Sequence, residues 1–231
     1  MLTIPISISV DAAPAYSSHA DDPPSLRAME TAALFGLGLD DRQAMVIVPP
    51  TEMPIPAPGV IFITGPSGSG KSTILKLIAK HCFESGHSVI RMDDLPPLVK
   101  LDAPLIDSIG DSLEHAAALL SLAGLSDAFI MLRRIDQLSD GQRARFNLAR
   151  AIELAERSGR SAIILADEFG ATLDRITAQT IARNVRRWID RPSTRRHTFI
   201  AATTHDDLLE PLRPDVLIWK GLADEIQVLT R

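Results

Sequence analysis

Apolar positions along this chain fall into short runs bounded by turn residues, and the period of each run predicts an element. Leu2, Ile4, Ile6, Ile8 and Val10 alternate with polar or proline positions, the period of a half-buried strand. Val60 to Thr64, Ser88 to Met92, Ser161 to Ala166, Thr198 to Thr203 and Val216 to Trp219 are instead near-continuous apolar runs, which predict strands buried on both faces. Helical spacing lies between them. Ile74 to Lys80 forms one amphipathic stretch, Gly141 to Arg157 a longer one closed by Gly159, and residues 175–190 a third with Ile176, Ile181, Val185, Trp188 and Ile189 inward. Leu113 to Leu125 and Ser126 to Leu138 read as two short helices, capped by Asp111 or Ser112 and by Ser126; Ser25 to Leu34 and Asp207 to Leu212 read as two more. Ala44 to Val48 reads as a strand stopped by Pro49-Pro50, with Pro54, Pro56 and Pro58 a stiff approach to the next. Residues 11–25 are polar and proline-rich, hence loop. Strands alternating with helices predict an α/β fold with a mostly parallel sheet covered on both faces. The expected organisation is a single domain over residues 1–231: a β-rich N-terminal part (1–59), a core (60–92 and 141–231) and a small helical subdomain (93–140), with no internal repeat.

Composition narrows the class. The chain has 231 residues, 45% of them hydrophobic, ample for a core, and only 4% aromatic, so the core is aliphatic. A net charge of −5 gives no global reason to expect nucleic acid. Cys82 is the single cysteine, which excludes an internal disulfide; on a helix it reads as a small core residue. No apolar stretch approaches the ~18 residues of a membrane span. Ala13-Pro14-Ala15 mimics a signal-peptidase site, but no positive segment precedes it and polar residues interrupt the apolar run. The expectation is a soluble cytoplasmic protein without membrane insertion.

The chemistry begins at Gly65-Pro66-Ser67-Gly68-Ser69-Gly70-Lys71-Ser72-Thr73, which fits G-x-x-x-x-G-K-S/T between a predicted strand and a predicted helix. Glycines let backbone N–H groups wrap a phosphate, and the helix N-terminus adds positive potential. Lys71 would reach the β- and γ-phosphates of a nucleoside triphosphate and Ser72 would ligate Mg²⁺. A second apolar strand ends in Asp167-Glu168. Alone, that is a strand end capped by solvated acids. Behind a phosphate loop, Asp167 can hold Mg²⁺ through water and Glu168 can orient or deprotonate the attacking water. Leu138-Ser139-Asp140-Gly141-Gln142-Arg143-Ala144-Arg145 is a Ser/Gly turn opening a helix, a second anion-binding end, which suggests use in trans.

This segment resembles the L-S-G-G-Q signature of ATP-binding cassette (ABC) ATPases, with Asp140 departing at the third position. Gly170-Ala171-Thr172-Leu173-Asp174 resembles that family's D-loop, Phe169 standing where a proline commonly follows the glutamate, and His205 matches its switch histidine. The resemblance spans roughly residues 44 to 220. It implies a P-loop NTPase fold of the ABC ATPase head type. It also implies hydrolysis of ATP with Mg²⁺ at the interface of a head-to-tail homodimer, in which ATP closes the pair and hydrolysis opens it. Each site would join Lys71, Ser72, Asp167, Glu168 and His205 of one chain to Ser139 and Gly141 of the other, with Gln142 and Asp174 beside them. The glutamine that transporter ATPases carry after the second core strand is missing: Gln137 is the only one between Arg91 and Leu138. Asp93, Asp94 or Asp107 could stand on the Mg²⁺ side in its place. Tyr16 and Phe35 are the candidate adenine stackers, though core or loop explains both. Pro104-Leu105-Ile106-Asp107, Ser121 to Phe129, Asp167-Glu168-Phe169 with Thr172 to Arg175, and Thr203 to Leu209 are similar to soluble ABC ATPases joined to GNAT-type acetyltransferases, which implies a separate acyltransferase partner. The favoured reading is therefore a soluble ATP-driven switch. The alternatives are a nucleic-acid clamp or repair factor of the SMC-like kind and the ATPase subunit of a transporter. The cluster Arg183, Arg186, Arg187, Arg191, Arg195 and Arg196 is the sole support for nucleic acid, and a solvated helix face with favourable C-terminal cations explains most of it. Arg133, Arg134, Arg143 and Arg145 are read as serving the dimer interface or nucleotide charge.

Overall fold

The computed structural model describes residues 2–12, 25–36, 43–98 and 102–231. In chain order its elements are β1 (Leu2–Ala12), α1 (Leu26–Leu34), β2 (Gln43–Ile55), β3 (Gly59–Thr64), α2 (Lys71–Glu84), β4 (Ser88–Arg91), α3 (Leu113–Leu122), α4 (Ala128–Met131), α5 (Asp140–Arg157), β5 (Ala162–Ala166), α6 (Arg175–Asp190), β6 (Thr198–Ala202), α7 (Leu209–Leu212), β7 (Val216–Lys220) and β8 (Ile226–Thr230). A six-stranded sheet runs in the order β4-β5-β6-β3-β7-β8, and β1 pairs with β2 as a separate ribbon. Every neighbouring pair in the main sheet is parallel except β7 with β8.

The continuous apolar runs are explained by a core on each side of the sheet. Side chains alternate across a strand. Val60, Phe62, Ile164, Phe199 and Ala201 pack with α3, α5 and α6 on one face. Ile61, Ile63, Ile163, Leu165, Ile200 and Ala202 pack on the other against α2 and the β1–β2 ribbon. Because β3, β5 and β6 are parallel and in close register (Ile63 opposite Ala202, Ala166 opposite Ala201), the residues that follow them emerge at one edge. Ligands of open α/β sheets bind at such an edge.

Four expectations are corrected. First, β2 does not stop at Pro49-Pro50 but continues through Pro54 to Ile55, paired with β1. A two-stranded ribbon leaves each strand an unpaired side, where prolines are tolerated. Second, Ser126 to Leu138 is not one helix. Asp127 caps the short α4 by accepting from the Phe129 N–H at 2.8 Å. The Leu105 N–H then bonds the Arg133 carbonyl at 2.9 Å and Pro104 bridges Arg134, so a tertiary pairing takes the chain out of the helix. Third, Ile176 is 80% exposed; it precedes the buried stripe of α6, which starts at Ala178. Fourth, β8 extends the sheet beyond the last strand expected.

Candidate functional site

β3 delivers the chain to Gly65 at the edge of the sheet, where φ is +142°. A Cβ there would lie 2.0 Å from the Lys220 carbonyl oxygen at the end of β7, so only glycine lets the loop pass. Gly70 adopts φ +98° as the N-cap of α2, and no side chain caps that helix. Its N-terminal N–H groups are left for a ligand, and the helix dipole favours an anion there. A cleft of about 480 Å³ opens over this end. Ser67, Gly68, Gly70, Lys71, Ser72 and Thr73 line one side; Asp167, Glu168, Thr203 and Thr204 line the other.

Inside the cleft, the Lys71 ammonium donates to the carbonyls of Gly65 (2.9 Å) and Pro66 (2.6 Å). Burial lowers its pKa, while the charges of Asp167 and Glu168 pull it back up. The Ser72 hydroxyl donates to Asp167 Oδ1 at 3.0 Å, and the same oxygen accepts the Glu168 N–H at 3.0 Å. Glu168 is exposed and sits at φ +49°, a left-handed conformation that a non-glycine residue holds only where its surroundings impose it. The imposing contact is next door. Buried Phe169 donates its N–H to the Ala202 carbonyl at 3.0 Å and meets Phe199 edge-on at 5.4 Å between ring centroids. Proline at 169 could not make that hydrogen bond. Ser72 and Asp167 present hydroxyl and carboxylate oxygens side by side, the donor set a hard cation such as Mg²⁺ takes.

The remaining candidates lie elsewhere. Gly65, Pro66 and Ser69 shape the loop without lining the cleft, and the buried Ser69 hydroxyl has no partner among the described residues. Ser139 and Gln142 form a capping box on α5: the Ser139 hydroxyl accepts the Gln142 N–H at 3.3 Å, and Gln142 Oε1 accepts the Ser139 N–H at 3.1 Å. Asp174 caps α6, accepting the Thr177 N–H at 2.9 Å; the Thr177 side chain, then that N–H, holds its pKa below the usual carboxylate value. A Cβ on Gly141 would lie 3.0 Å from the Thr172 carbonyl, so the signature turn packs on the D-loop of its own chain. Neither Ser139, Gly141, Gln142 nor Asp174 lines the phosphate-loop cleft. His205 follows β6 half-buried, its N–H on Thr203 Oγ1 at 3.3 Å; Thr203 and Thr204 line the cleft while His205 does not.

Of the three aspartates considered for the missing glutamine, Asp93 shares a small recess with Ser72 and Asp167 and is held by Arg91 at 2.5 and 3.2 Å. Asp107 lines a separate hollow with Arg150 and Glu153. Phe35 is 75% exposed and does not line the cleft; Tyr16 lies outside the described residues. Several of the arginines have partners within the chain. Arg186 is bound internally by Asp190 and Asp215, and Arg134 pairs with Asp136. Arg145 bonds two backbone carbonyls of its own chain. Sequence reasoning missed Thr203 and Thr204 as lining residues; their place at the C-terminal end of a predicted apolar strand was the available signal.

Residues 50–169 match the family described as ABC transporter. Over 204 residues the chain is 32% identical to the phosphonates import ATP-binding protein PhnC of Hyphomonas neptunium, a match covering 69% of this chain and 75% of the relative. It is 30% identical over 199 residues to the macrolide export ATP-binding/permease protein MacB of Bordetella avium, where the match covers 71% of this chain but only 28% of that protein. Among solved structures, the dimeric bacterial ABC transporter cassette MJ0796 superposes with a TM-score of 0.58 at 20% identity, over 82% of this chain and 93% of that one, a likeness of fold. No helix among the described residues is long and apolar enough to cross a membrane.

Proposed function

Because this chain belongs to the ABC transporter family of ATP-binding cassettes and is an ATP-hydrolysing domain of that kind, we propose that it works as a head-to-tail pair in which each ATP is completed by the partner copy. The observation that carries this is the separation of the two halves. Lys71, Ser72, Asp167 and Glu168 share one cleft, while Ser139, Gly141 and Asp174 lie outside its lining. One chain holds both halves of the chemistry without bringing them together.

In this reading the phosphate-loop N–H groups and Lys71 bind the β- and γ-phosphates. On nucleotide arrival the Lys71 ammonium exchanges the Gly65 and Pro66 carbonyls for phosphate oxygens, a stronger, charge-assisted pairing. Ser72 and Asp167 are the residues that would hold Mg²⁺, which when bound neutralises developing phosphate charge. Glu168 accepts a proton from water as the water oxygen attacks the γ-phosphorus; the bond to the bridging oxygen breaks, leaving ADP and inorganic phosphate. His205 reaches the γ-phosphate when the pair closes, and Ser139 and Gly141 of the partner copy contact it from the other side. Thr203 and Thr204, which line the cleft just past β6, join it to His205, whose N–H bonds Thr203 Oγ1.

For the output, the import and export proteins among the relatives support a transporter's ATPase subunit, bound to a separate membrane partner at its cytoplasmic face, better than the free-standing switch that the missing glutamine suggests. The GNAT-associated branch and an acyltransferase partner gain no support from them. A nucleic-acid role loses ground because Arg186, central to the basic cluster, is committed to Asp190 and Asp215.

The test is sedimentation of Glu168→Gln with Mg·ATP. The variant should trap a dimer and lose about 10²- to 10⁴-fold in turnover. A protein that stays monomeric while binding ATP tightly would sink the paired-site reading. Lys71→Ala should bind no ATP, and retained affinity would remove the phosphate-loop assignment.

A further inference from the structure

The signature turn of α5 is anchored by a residue that none of the catalytic roles uses. Arg145 lies half-buried one turn into α5. Its Nε donates to the Gly141 carbonyl at 3.2 Å, and its Nη1 donates to the Gly124 carbonyl at 2.8 Å. These acceptors belong to different elements. Gly141 is in the signature itself. Gly124, at φ +77°, ends the turn that follows α3. The same turn is tied to α6, since Asn184 donates to the Leu122 carbonyl at 3.0 Å. The guanidinium therefore joins the first turn of α5 to the exit of α3, which is in turn fixed to α6.

The other side of the same turn touches the catalytic edge. Gly141 packs on Thr172 and Leu173 of the D-loop so closely that a Cβ would sit 3.0 and 3.2 Å from them. Beneath, Ala144, Arg145 and Leu148 share a small apolar void of about 60 Å³ with Asp167, Glu168 and Phe169. The signature turn thus abuts the segment that directly follows the hydrolytic pair.

We propose that Arg145 is a positioning residue for pairing: it holds the signature turn against its own D-loop in the pose that meets the partner copy's nucleotide. This rests on the paired-site reading above. Lysine could not replace it, because a single ammonium lacks the planar fork that spans two carbonyls from two directions. The leftover Gly124 carbonyl would then need water.

The experiment compares Glu168→Gln with Glu168→Gln carrying Arg145→Lys or Arg145→Ala, using Mg·ATP as the ligand. Expected is a monomer that binds ATP within about twofold of the parent but whose ATP-driven dimer is weakened at least tenfold by sedimentation, with lysine intermediate between arginine and alanine. If Arg145→Ala does not fold, Arg145→Lys carries the comparison. Dimerisation equal to the parent overturns the proposal, as does a parallel loss of ATP affinity and thermal stability, which marks a purely structural role. If the Glu168→Gln parent itself stays monomeric, the paired-site reading fails and takes this proposal with it; if only the Arg145 variants behave like the parent, the proposal alone fails.

Discussion

At residue scale, the phosphate loop shows that its glycines serve different purposes. Gly68 has φ +75° but open space around its Cα, so alanine there would meet only the backbone penalty of about 1–2 kcal/mol. Gly65 meets the Lys220 carbonyl at 2.0 Å from a notional Cβ, a backbone atom that cannot swing aside. Gly65→Ala should therefore displace the loop from β7. It should weaken ATP binding at least tenfold and lower stability more than Gly68→Ala does; melting curves and ATP titrations of the two variants side by side decide this. Phe169 teaches a related lesson. Its departure from the usual proline is accounted for by a hydrogen bond to Ala202 and an aromatic partner in Phe199. Cys82 is fully buried, and its thiol is pushed up to about 11 by that burial, the small-core role its place on a helix suggested.

At element scale, α3, α5 and α6 are joined by a polar chain that periodicity could not reveal. Asp111 accepts from His115 Nδ1 at 2.7 Å, His115 Nε2 lies 3.3 Å from Glu156, and Glu156 accepts the Trp188 indole N–H at 2.8 Å. The hydrogen bond to Asp111, then that to Glu156, raises the His115 pKa. A histidine raised on folding contributes stability that is full below its unfolded value of about 6.5 and is lost as pH climbs through the folded value. His197, stacked on Trp188 at 5.2 Å between ring centroids, has the opposite sign. Burial, then the charge of Arg196, lowers its pKa, so its contribution is present above about 6.5 and fades as pH falls. His115→Asn should accordingly cost more in melting temperature near pH 6 than near pH 8.5. A deficit independent of pH would show that the ring acts by packing alone. The capping box on α5 shows the converse case: Ser139 and Gln142, spaced three apart before an apolar run, were readable as a helix start.

At the scale of the whole molecule, the parallel arrangement of β3, β5 and β6 gathers the phosphate loop, the acidic pair and the β6 exit at one edge. Nucleotide that binds this edge only in the folded state must stabilise the whole domain. At a hundredfold excess over Kd the linkage is about 2.7 kcal/mol. For a domain of this size that corresponds to a rise of about 5–11 °C in melting temperature. Differential scanning with Mg·ATP should show this shift for Glu168→Gln and no shift for Lys71→Ala. A shift of equal size in Lys71→Ala would mean that ATP binds elsewhere. For the unaltered chain, the ATP-induced dimer should form and then decay as ATP is consumed.

The sequence by itself determined the α/β class, the strand–loop–helix around Lys71, the acidic strand end at Asp167-Glu168 and the start of α5. Each is written in local spacing, which needs no knowledge of the rest of the chain. It also carried the family, through motifs whose order survives any loop. What it could not hold is what distant segments decide. The pairing of Pro104 with Arg134 breaks a helix that local propensity favours. The two-stranded ribbon lets β2 run through prolines that read as a stop. Arg145 reads from its place beside the signature as a cation for the dimer interface or the nucleotide, and its two carbonyl acceptors, from separate elements, come into view only in the fold. Asp93 rather than Asp107 stands near Ser72 because strand order, not chain position, sets neighbours in a parallel sheet. Local spacing fixes elements through short-range sterics and periodic burial; the neighbours of a side chain across the core depend on topology, which only the folded chain supplies.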